Sequence, residues 1–173
     1  SSFSFFGHKA ITTGEGGMIT FKDKETYLKA KVLRDHGMDP IKTYWHNFVG
    51  YNYRMTNMQA AIGLAQMERI NEILKRKIEI ANYYKSKLKG VSGLNFVTDS
   101  KFKKNTYWLV TVLLDPEKIG ITRDQLREKL NKKNIDTRPV FYPLHIMPPY
   151  TKYGKDNFTN SKYISQNGIS LPS

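Results

Sequence analysis

The sequence predicts a mixed α/β chain, and three observations support that prediction. Two short strand-like segments, residues 3–6 and 18–21, flank a glycine-rich turn near the start. A long amphipathic pattern follows over residues 56–88, and from about residue 90 the pattern is that of strand, helix and strand. We therefore expect layered α/β structure that ends in a small α+β region.

The first predicted element is a hairpin-like unit around Lys9. The aromatic run at residues 3–6 predicts a strand, the glycines of residues 14–17 a turn, and residues 18–21 a second strand. A lysine that does chemistry needs rigid backbone and polar neighbours, so that its ammonium can lose a proton. This unit supplies such a backbone. A lysine taken alone is more often a solvated surface charge, and these residues alone leave both interpretations open.

A helix and a long loop come next. Asp23 is a good N-cap for a helix that extends to about Leu33. Residues 34–53 then carry Gly37, Pro40 and Gly50 together with five aromatic residues. A loop of this length in a compact domain is usually functional or part of an interface.

The strongest helical pattern begins at Thr56, a favourable N-cap, and continues toward Leu88 with apolar residues every three or four positions. Its first turns carry small residues, which predict close packing against another backbone: Ala60, Ala61, Gly63 and Ala65. Roughly thirty residues exceed an ordinary globular helix, so we expect a bend or an interdomain role.

The last predicted elements form the α+β region. Residues 107–114 predict a buried strand, and residues 135–140 predict another. Between them Thr122 begins an amphipathic helix whose Leu126 and Leu130 face inward.

The tail, residues 141–173, is rich in proline and tyrosine and predicts an ordered loop with no closing element. A strand at residue 3 is an edge that needs partners this sequence does not provide, so we expect a segment of a longer chain. The predicted organisation is a lysine-bearing part of a larger domain at 1–55, a long interdomain helix at 56–89, and a small, truncated α+β domain at 90–173.

Composition narrows the possible partners. The chain has 173 residues and a net charge of +13. Its lysines are scattered and form no basic block with interleaved aromatics, so we expect no nucleic-acid partner. The net charge is explained equally well by an anionic substrate, or by this chain being a basic part of a protein whose overall charge is closer to neutral. No apolar run approaches the ~20 residues of a membrane helix, so no membrane partner is expected.

Cysteine is absent, which excludes disulfides and thiolate metal sites and is compatible with a reducing cytoplasm. We therefore predict a cytoplasmic protein without a bound metal.

Three ordered segments resemble one protein family. They are residues 4–17 (SFFGHKAITTGEGG), residues 44–63 (beginning YWH and ending GYNYRMTNMQAAIG), and residues 136–145 (DTRPVFYPLH) with 168–173 (GISLPS). Together they resemble the DegT/DnrJ/EryC1/StrS family of pyridoxal-phosphate-dependent sugar aminotransferases. The resemblance implies the C-terminal portion of a fold-type I transferase, aspartate-aminotransferase-like, that ends in a small α+β domain.

The resemblance also implies an activity. The family uses pyridoxal 5'-phosphate to move an amino group from glutamate to a keto sugar carried on a nucleotide. The pattern is most similar to members that aminate C4 of GDP-4-keto-6-deoxymannose in perosamine synthesis, for O-antigen or other surface polysaccharide. It further implies a homodimer with active sites at the subunit interface.

Two alternatives stay open. One is a pyridoxal- or pyridoxamine-phosphate-dependent sugar dehydratase of the same family, and the other is a non-catalytic basic binding or regulatory module. Dehydratases of the family replace the lysine by histidine, so Lys9 favours transamination.

The resemblance assigns roles residue by residue. Lys9 is the catalytic, Schiff-base lysine, which combines nucleophile and proton carrier. Ser4 is an expected contact of the cofactor phosphate, and Asn52 and Arg54 lie in the segment through which the neighbouring subunit is expected to reach that phosphate. The candidates for the substrate side are Trp45, His46, Tyr142 and His145.

Structural interpretations of these residues also stay open: a local backbone bond for Ser4, an interhelical cap and an ion pair for Asn52 and Arg54, and a structural or merely exposed ring for His145. Glu15 is expected to pin the glycine turn, and His8 stands where relatives commonly carry Asn. Family residues that hold the pyridine ring belong upstream of this segment, so this segment alone is not expected to bind the cofactor well or to be active.

Overall fold

The computed structural model describes residues 1–154 and 157–173, and it divides the chain into two compact units. The first unit is Ser1–Ile73 and the second is Leu74–Ser173. Their boundary falls inside the segment expected to form the interdomain helix.

The first unit begins with the predicted hairpin. Strands β1 (Ser2–Ser4) and β2 (Gly17–Ile19) pair antiparallel, with Phe3 opposite Met18. Both strands are shorter than predicted, because the chain turns away at Phe5 into a closed loop over residues 5–16. Every residue of the two strands is exposed, and within the described chain they pair only with each other.

Helix α1 (Lys24–Arg34) begins as predicted, because the Asp23 carboxylate accepts a hydrogen bond from the Thr26 N–H at 2.7 Å. The segment after it folds back on the end of this helix. The Tyr51 N–H donates to the Leu33 carbonyl at 2.8 Å, and the His36 N–H donates to the Tyr51 carbonyl at 2.9 Å. The long predicted loop is therefore tied to α1 at both of its ends.

The long helical segment consists of two helices, α2 (Asn57–Glu68) and α3 (Ile70–Lys87), which meet at Arg69. This break agrees with the bend that the unusual length predicted. Thr56 caps α2 in a reciprocal box with Gln59.

The second unit is built on a four-stranded antiparallel sheet. Its strands are β3 (Leu94–Phe96), β4 (Val110–Leu114), β5 (Arg138–Pro139) and β6 (Gly168–Leu171), in the order β3-β4-β6-β5. Side chains of β4 alternate between buried and half-buried, because successive residues of a strand point to opposite faces.

Three helices accompany this sheet: α4 (Pro116–Ile119), α5 (Arg123–Asn131) and α6 (Thr159–Asn167). Thr122 caps α5 as predicted, and Leu126 and Leu130 pack on the core cluster of Val112, Leu114 and Ile169. The buried Arg123 guanidinium donates to the carbonyls of Ser165 and Gly168, which joins the start of α5 to the α6–β6 junction.

The prediction for the tail was wrong. Residues 141–173 contain two short 3-10 helices (Leu144–Ile146 and Pro148–Tyr153), helix α6, and β6, which lies inside the sheet between β4 and β5. The four residues of β6 are too few to show a period, and their burial comes from the neighbouring strands.

The predicted strand over residues 135–140 is reduced to two residues, and one of them, Pro139, has no N–H to donate to the ladder. In the described parts of the chain, no helix is both long and apolar enough to cross a membrane.

Candidate active site

Lys9 lies in a loop that its own backbone closes. The Phe5 N–H donates to the Gly16 carbonyl and the Thr13 N–H to the Phe5 carbonyl, both at 2.9 Å. The Lys9 N–H donates to the Phe6 carbonyl at 2.9 Å, and Lys9 is half-buried. This is the hydrogen-bonded backbone that the sequence predicted for a chemically active lysine.

The glycine-rich end of the loop packs around Thr13, which is buried. The Thr13 hydroxyl donates to the Glu15 carbonyl at 2.6 Å. Gly16 has φ of 142°, and a Cβ there would lie 2.6 Å from the Thr13 Oγ1, so this position requires glycine. The Glu15 backbone carbonyl, rather than its exposed carboxylate, holds the turn in the structure.

Ser4 stands at the end of β1, just before the lysine loop. Its Oγ accepts a hydrogen bond from the Phe6 N–H at 3.4 Å, which is the local bond that the structural interpretation predicted. That bond uses only an acceptor site of an exposed hydroxyl, so the O–H remains able to donate to a phosphate oxygen.

Asn52 and Arg54 both adjoin Asp35, at the end of α1. Asn52 forms a backbone bridge with Asp35, and the Arg54 Nη1 lies 3.3 Å from the Asp35 Oδ1. Arg54 is 59% exposed, so part of its guanidinium faces solvent. The structure thus contains the Arg54–Asp35 ion pair that the structural interpretation predicted. It also leaves other N–H donors of the Arg54 guanidinium accessible to a ligand.

An open groove of about 930 Å³ runs beside this segment within the first unit. Its lining includes Arg54, Met55, Gln59 and residues 15–19, which places Arg54 beside the glycine-rich end of the lysine loop. The groove has mainly apolar walls from Phe3, Met18, Ile19, Phe21, Tyr27, Leu33, Tyr51 and Tyr53. Lys9 is not among the lining residues.

Trp45 and His46 lie in a loop organised by Asp39. Backbone N–H groups of Lys42 and Ile41 donate to the Asp39 Oδ1 at 2.8 Å, and the Asn47 amide donates to Oδ2 at 2.6 Å. These three bonds, that from Lys42 first, favour the carboxylate and lower the pKa of Asp39 below its ordinary value.

The same network orients the Trp45 ring, because its Nε1 donates to the Asn47 Oδ1 at 3.1 Å. The Lys42 ammonium lies 3.7 Å from the centre of that ring. The His46 Nδ1 lies 2.9 Å from the His36 carbonyl oxygen and therefore donates to it. Both predicted residues are exposed side chains on an ordered loop.

Tyr142 and His145 belong to the second unit, in and before the 3-10 segment. Tyr142 is exposed. The His145 ring packs against Phe158 with 4.5 Å between centroids, and Gly154 lies close enough that a Cβ there would be 3.0 Å from the His145 Cβ. The His145 Nε2 is buried and has no hydrogen-bond partner among the described residues. The contacts of His145 are those of a packed ring, whereas Tyr142 is available to a ligand.

The sequence analysis missed residues that support the lysine loop from α2. Gln66 and Gln59 both form hydrogen bonds to the loop backbone. Gln66 is a polar residue among small and apolar ones on α2, and that misfit with its neighbours is the signal that could have identified it.

The donor set fits pyridoxal phosphate, which is the cofactor of the family that the sequence resembles. A primary amine on closed backbone suits the aldehyde, and a hydroxyl, an amide and a guanidinium suit a phosphate monoester. These groups are carried by Lys9, Ser4, Asn52 and Arg54, all of which belong to the first unit. Among the described residues no three His, Asp or Glu side chains converge as a metal site would require.

Comparison with known proteins gives a consistent result. The model of the DegT/DnrJ/EryC1/StrS aminotransferase family matches residues 1–173. GDP-perosamine synthase of Caulobacter vibrioides is 45% identical over 99% of this chain, and that of Escherichia coli O157:H7 is 44% identical over 100%. Spr1654 of Streptococcus pneumoniae in its PLP form is similar in structure, with a TM-score of 0.81 and 26% identity over 99% of this chain.

The chain spans about half the length of these relatives: 46% of each GDP-perosamine synthase and 45% of the Streptococcus protein. The predicted α/β, fold-type I class is confirmed by the family match and by the similar solved structures, of which the Spr1654 structure is a PLP form. The chain belongs to the DegT/DnrJ/EryC1/StrS aminotransferase family.

Proposed function

We propose that the protein carrying this chain is a sugar-nucleotide aminotransferase that moves an amino group from glutamate to C4 of a 4-keto-6-deoxy nucleotide sugar of the perosamine type. One observation above all supports this proposal. Lys9 lies in a closed, glycine-rich loop, in a chain that is 45% identical to a GDP-perosamine synthase over 99% of its length.

In this proposal Lys9 is the residue that moves protons. When bound, pyridoxal phosphate supplies an aldehyde that holds the amino group and a ring that withdraws electrons. The Lys9 Nζ, in its neutral form, would take a proton from the donor carbon that bears the amino group and would return it to the former aldehyde carbon of the cofactor, on the other side of the nitrogen. The hydrogen bonds of the loop fix the backbone of Lys9, from which the side chain that carries Nζ extends.

The proposed contacts of the phosphate are Ser4, Asn52 and Arg54. The Ser4 hydroxyl donates a hydrogen bond, and the Asn52 amide and the Arg54 guanidinium of a second copy of the chain add further donors. The ion pair with Asp35 already restrains the Arg54 side chain, so less side-chain conformational entropy is lost when an anion binds.

On the substrate side we propose Trp45, His46, Tyr142 and His145. Trp45 has an oriented indole ring that can pack on a sugar or a base, and Tyr142 is an exposed phenol. The His145 imidazole packs against Phe158, and Gly154 lies close to the His145 Cβ, so the proposed role of His145 is to support the segment that carries Tyr142.

The remaining partners are proposals of the same kind. Glutamate is the proposed amino donor, and a second copy of the chain is the proposed partner across the active site. The proposed product serves surface polysaccharide such as O-antigen, and the proposed compartment is the cytoplasm. The net charge of +13 suits a doubly charged nucleotide diphosphate.

The test uses the full-length protein with glutamate and GDP-4-keto-6-deoxymannose, and it measures 2-oxoglutarate and amino sugar. We expect equal amounts of both products, and we expect Lys9→Ala to lower turnover by about 10²–10⁴-fold, as removal of a general acid–base does. Lys22→Ala, at an exposed position on the same unit, is the matched control and should keep full turnover.

Turnover by Lys9→Ala at the wild-type rate would contradict the proposal. Consumption of the sugar without 2-oxoglutarate would indicate the dehydratase instead. If neither reaction occurs and nucleic acid binds with a steep salt dependence, the basic binding module is supported.

A further inference from the structure

We propose that Gln66 of α2 is a positioning residue for Lys9, acting through the backbone N–H and carbonyl of Thr12. This inference rests on the proposed function, because it assigns Gln66 a part in placing the amine that does the chemistry.

The contact between Gln66 and the loop is reciprocal. The Thr12 N–H donates to the Gln66 Oε1 at 3.1 Å, and the Gln66 Nε2 donates to the Thr12 carbonyl at 2.5 Å. The side-chain amide therefore pairs with the Thr12 backbone as a neighbouring strand would. Nε2 also donates to the Ile62 carbonyl at 3.3 Å, which fixes the rotamer of Gln66 from within its own helix.

This pairing demands a glutamine. An amide presents an acceptor and a donor side by side, whereas a carboxylate presents two acceptors and a thioether presents no donor. The two bonds are partly buried. If they were lost, water could not fully replace them at the Thr12 N–H and carbonyl.

The local sequence of α2 allows the helix to come this close. Gly63 lies one turn before Gln66, and a Cβ at Gly63 would be 2.8 Å from the Thr13 Cγ2. Gln59 lies two turns before Gln66 on the same helix face, and its Nε2 donates to the Glu15 carbonyl at 3.4 Å. Two glutamines thus hold the loop at two points, and the Gln66 contact has the shorter bonds.

Thr12 connects this contact to Lys9. The Thr12 hydroxyl donates to the Phe5 carbonyl at 3.0 Å and accepts from the Gly14 N–H at 2.9 Å. Lys9 lies three residues before Thr12 in the same closed loop. Because Gln66 fixes the Thr12 backbone, it limits the positions available to the Lys9 backbone, and a displacement of about 1 Å at a reacting group can lower the rate about 10²-fold.

The experiment compares Gln66→Met with the wild-type full-length protein by hydrogen exchange of the backbone amides in residues 9–16. The variant keeps the length of the side chain and removes both bonds. We expect the Thr12 amide to exchange about tenfold faster or more, since its acceptor is lost and the loop opens more often. Gln166→Met, at an exposed position on α6, is the matched control and should leave exchange in the loop unchanged.

Kinetics separate positioning from general destabilisation. We expect kcat of Gln66→Met to fall at least tenfold while KM for the nucleotide sugar stays within twofold, and the melting temperature should exceed the assay temperature for both variants. Exchange at Thr12 and kcat both within twofold of wild type would overturn the inference.

Gln66→Glu tests the donor itself. The introduced carboxylate repels the Thr12 carbonyl at neutral pH, but its protonated form has both an acceptor and a donor and restores the pair. Partial burial raises the pKa of such a carboxyl, so protection of the Thr12 amide, relative to wild type at the same pH, should recover as acidification protonates it. Protection that does not recover on acidification would contradict the reciprocal pairing.

The two proposals can fail separately. If Thr12 exchange responds as expected but the wild-type protein forms no 2-oxoglutarate, the proposed function fails and the contact is structural. If the wild-type protein transaminates but Gln66→Met is unaffected in exchange and kcat, the positioning role alone is refuted.

Discussion

The two compact units achieve order in different ways. In Leu74–Ser173 the sheet has an apolar centre, and the buried apolar side chains of the described chain all belong to this unit: Ala81, Tyr107, Val110, Val112, Leu114 and Ile169. In Ser1–Ile73 the buried side chain is that of a polar residue, Thr13, within the lysine loop. Large apolar side chains of this unit, such as Ile41 and Tyr44, are mostly exposed.

This difference concerns two separate properties: the stability of a unit, and the positions in which its polar groups are held. Apolar burial stabilises in proportion to area and has no direction. Hydrogen bonds contribute only about 0.5–1.5 kcal/mol each, yet they fix where groups lie. Within this chain, the described contacts that fix the lysine loop include the second kind of interaction, through Thr13, Gln59 and Gln66. Substitutions in the two units should therefore affect different measurements.

The largest effect on stability is expected in the sheet. Leu114→Ala removes a fully buried side chain and should lower the free energy of unfolding of its unit by about 2–5 kcal/mol. Chemical denaturation, followed by the near-ultraviolet circular dichroism of the unit, measures this loss. Leu64→Ala, at a position 63% exposed on α2, is the control, with an expected change of about 0.5 kcal/mol or less. Equal losses at both positions would remove the distinction between the units.

A smaller effect on stability is expected at the helix caps. Each unit has one described helix in which the N-cap threonine and a glutamine three residues later form the same reciprocal hydrogen bonds. Thr56→Ala at α2 and Thr122→Ala at α5 should each cost about 1 kcal/mol in the free energy of unfolding. Only Thr56→Ala should also speed hydrogen exchange near Glu15, since it frees Gln59, which holds the Glu15 carbonyl. Faster exchange near Glu15 in both variants would show that the effect is not specific to the α2 contact.

The smallest effect concerns pH and the Asp39 loop. Hydrogen bonds lower the pKa of Asp39 in the folded state, so their contribution is fully present above the unfolded pKa and is lost as pH falls through the lower folded value. The NMR signal of the Trp45 indole N–H, which bonds Asn47, should stay constant on acidification to about pH 4 and shift only below the unfolded pKa of about 3.9. Asp39→Asn should abolish that titration. A transition centred above the unfolded value would contradict the network.

Much of the fold followed from local patterns in the sequence. The caps at Asp23, Thr56 and Thr122 were predicted because the side chain that accepts the bond is a neighbour in the sequence. Strand β6 and helix α6 could not be predicted in this way. Their stability comes from β4 and from Arg123, which lie more than 40 residues away in the chain.

The same limit applies to the candidate site. The Lys9 loop was predicted from its own glycines and aromatic neighbours, and the structure closes it as expected. Gln66 lies 54 residues from Thr12, and no local pattern links the two. Sequence reasoning therefore identified the residue proposed to do the chemistry and missed the residue proposed to place it.

The central claim is that Lys9 carries the cofactor. The most direct measurement is borohydride reduction of the full-length protein with pyridoxal phosphate, followed by digestion and mass spectrometry of the peptide that contains Lys9. We expect one reduced pyridoxyl phosphate group on the Nζ of Lys9, and loss of that modification in Lys9→Ala. Modification at another lysine, with the Lys9 peptide unmodified, would contradict the account.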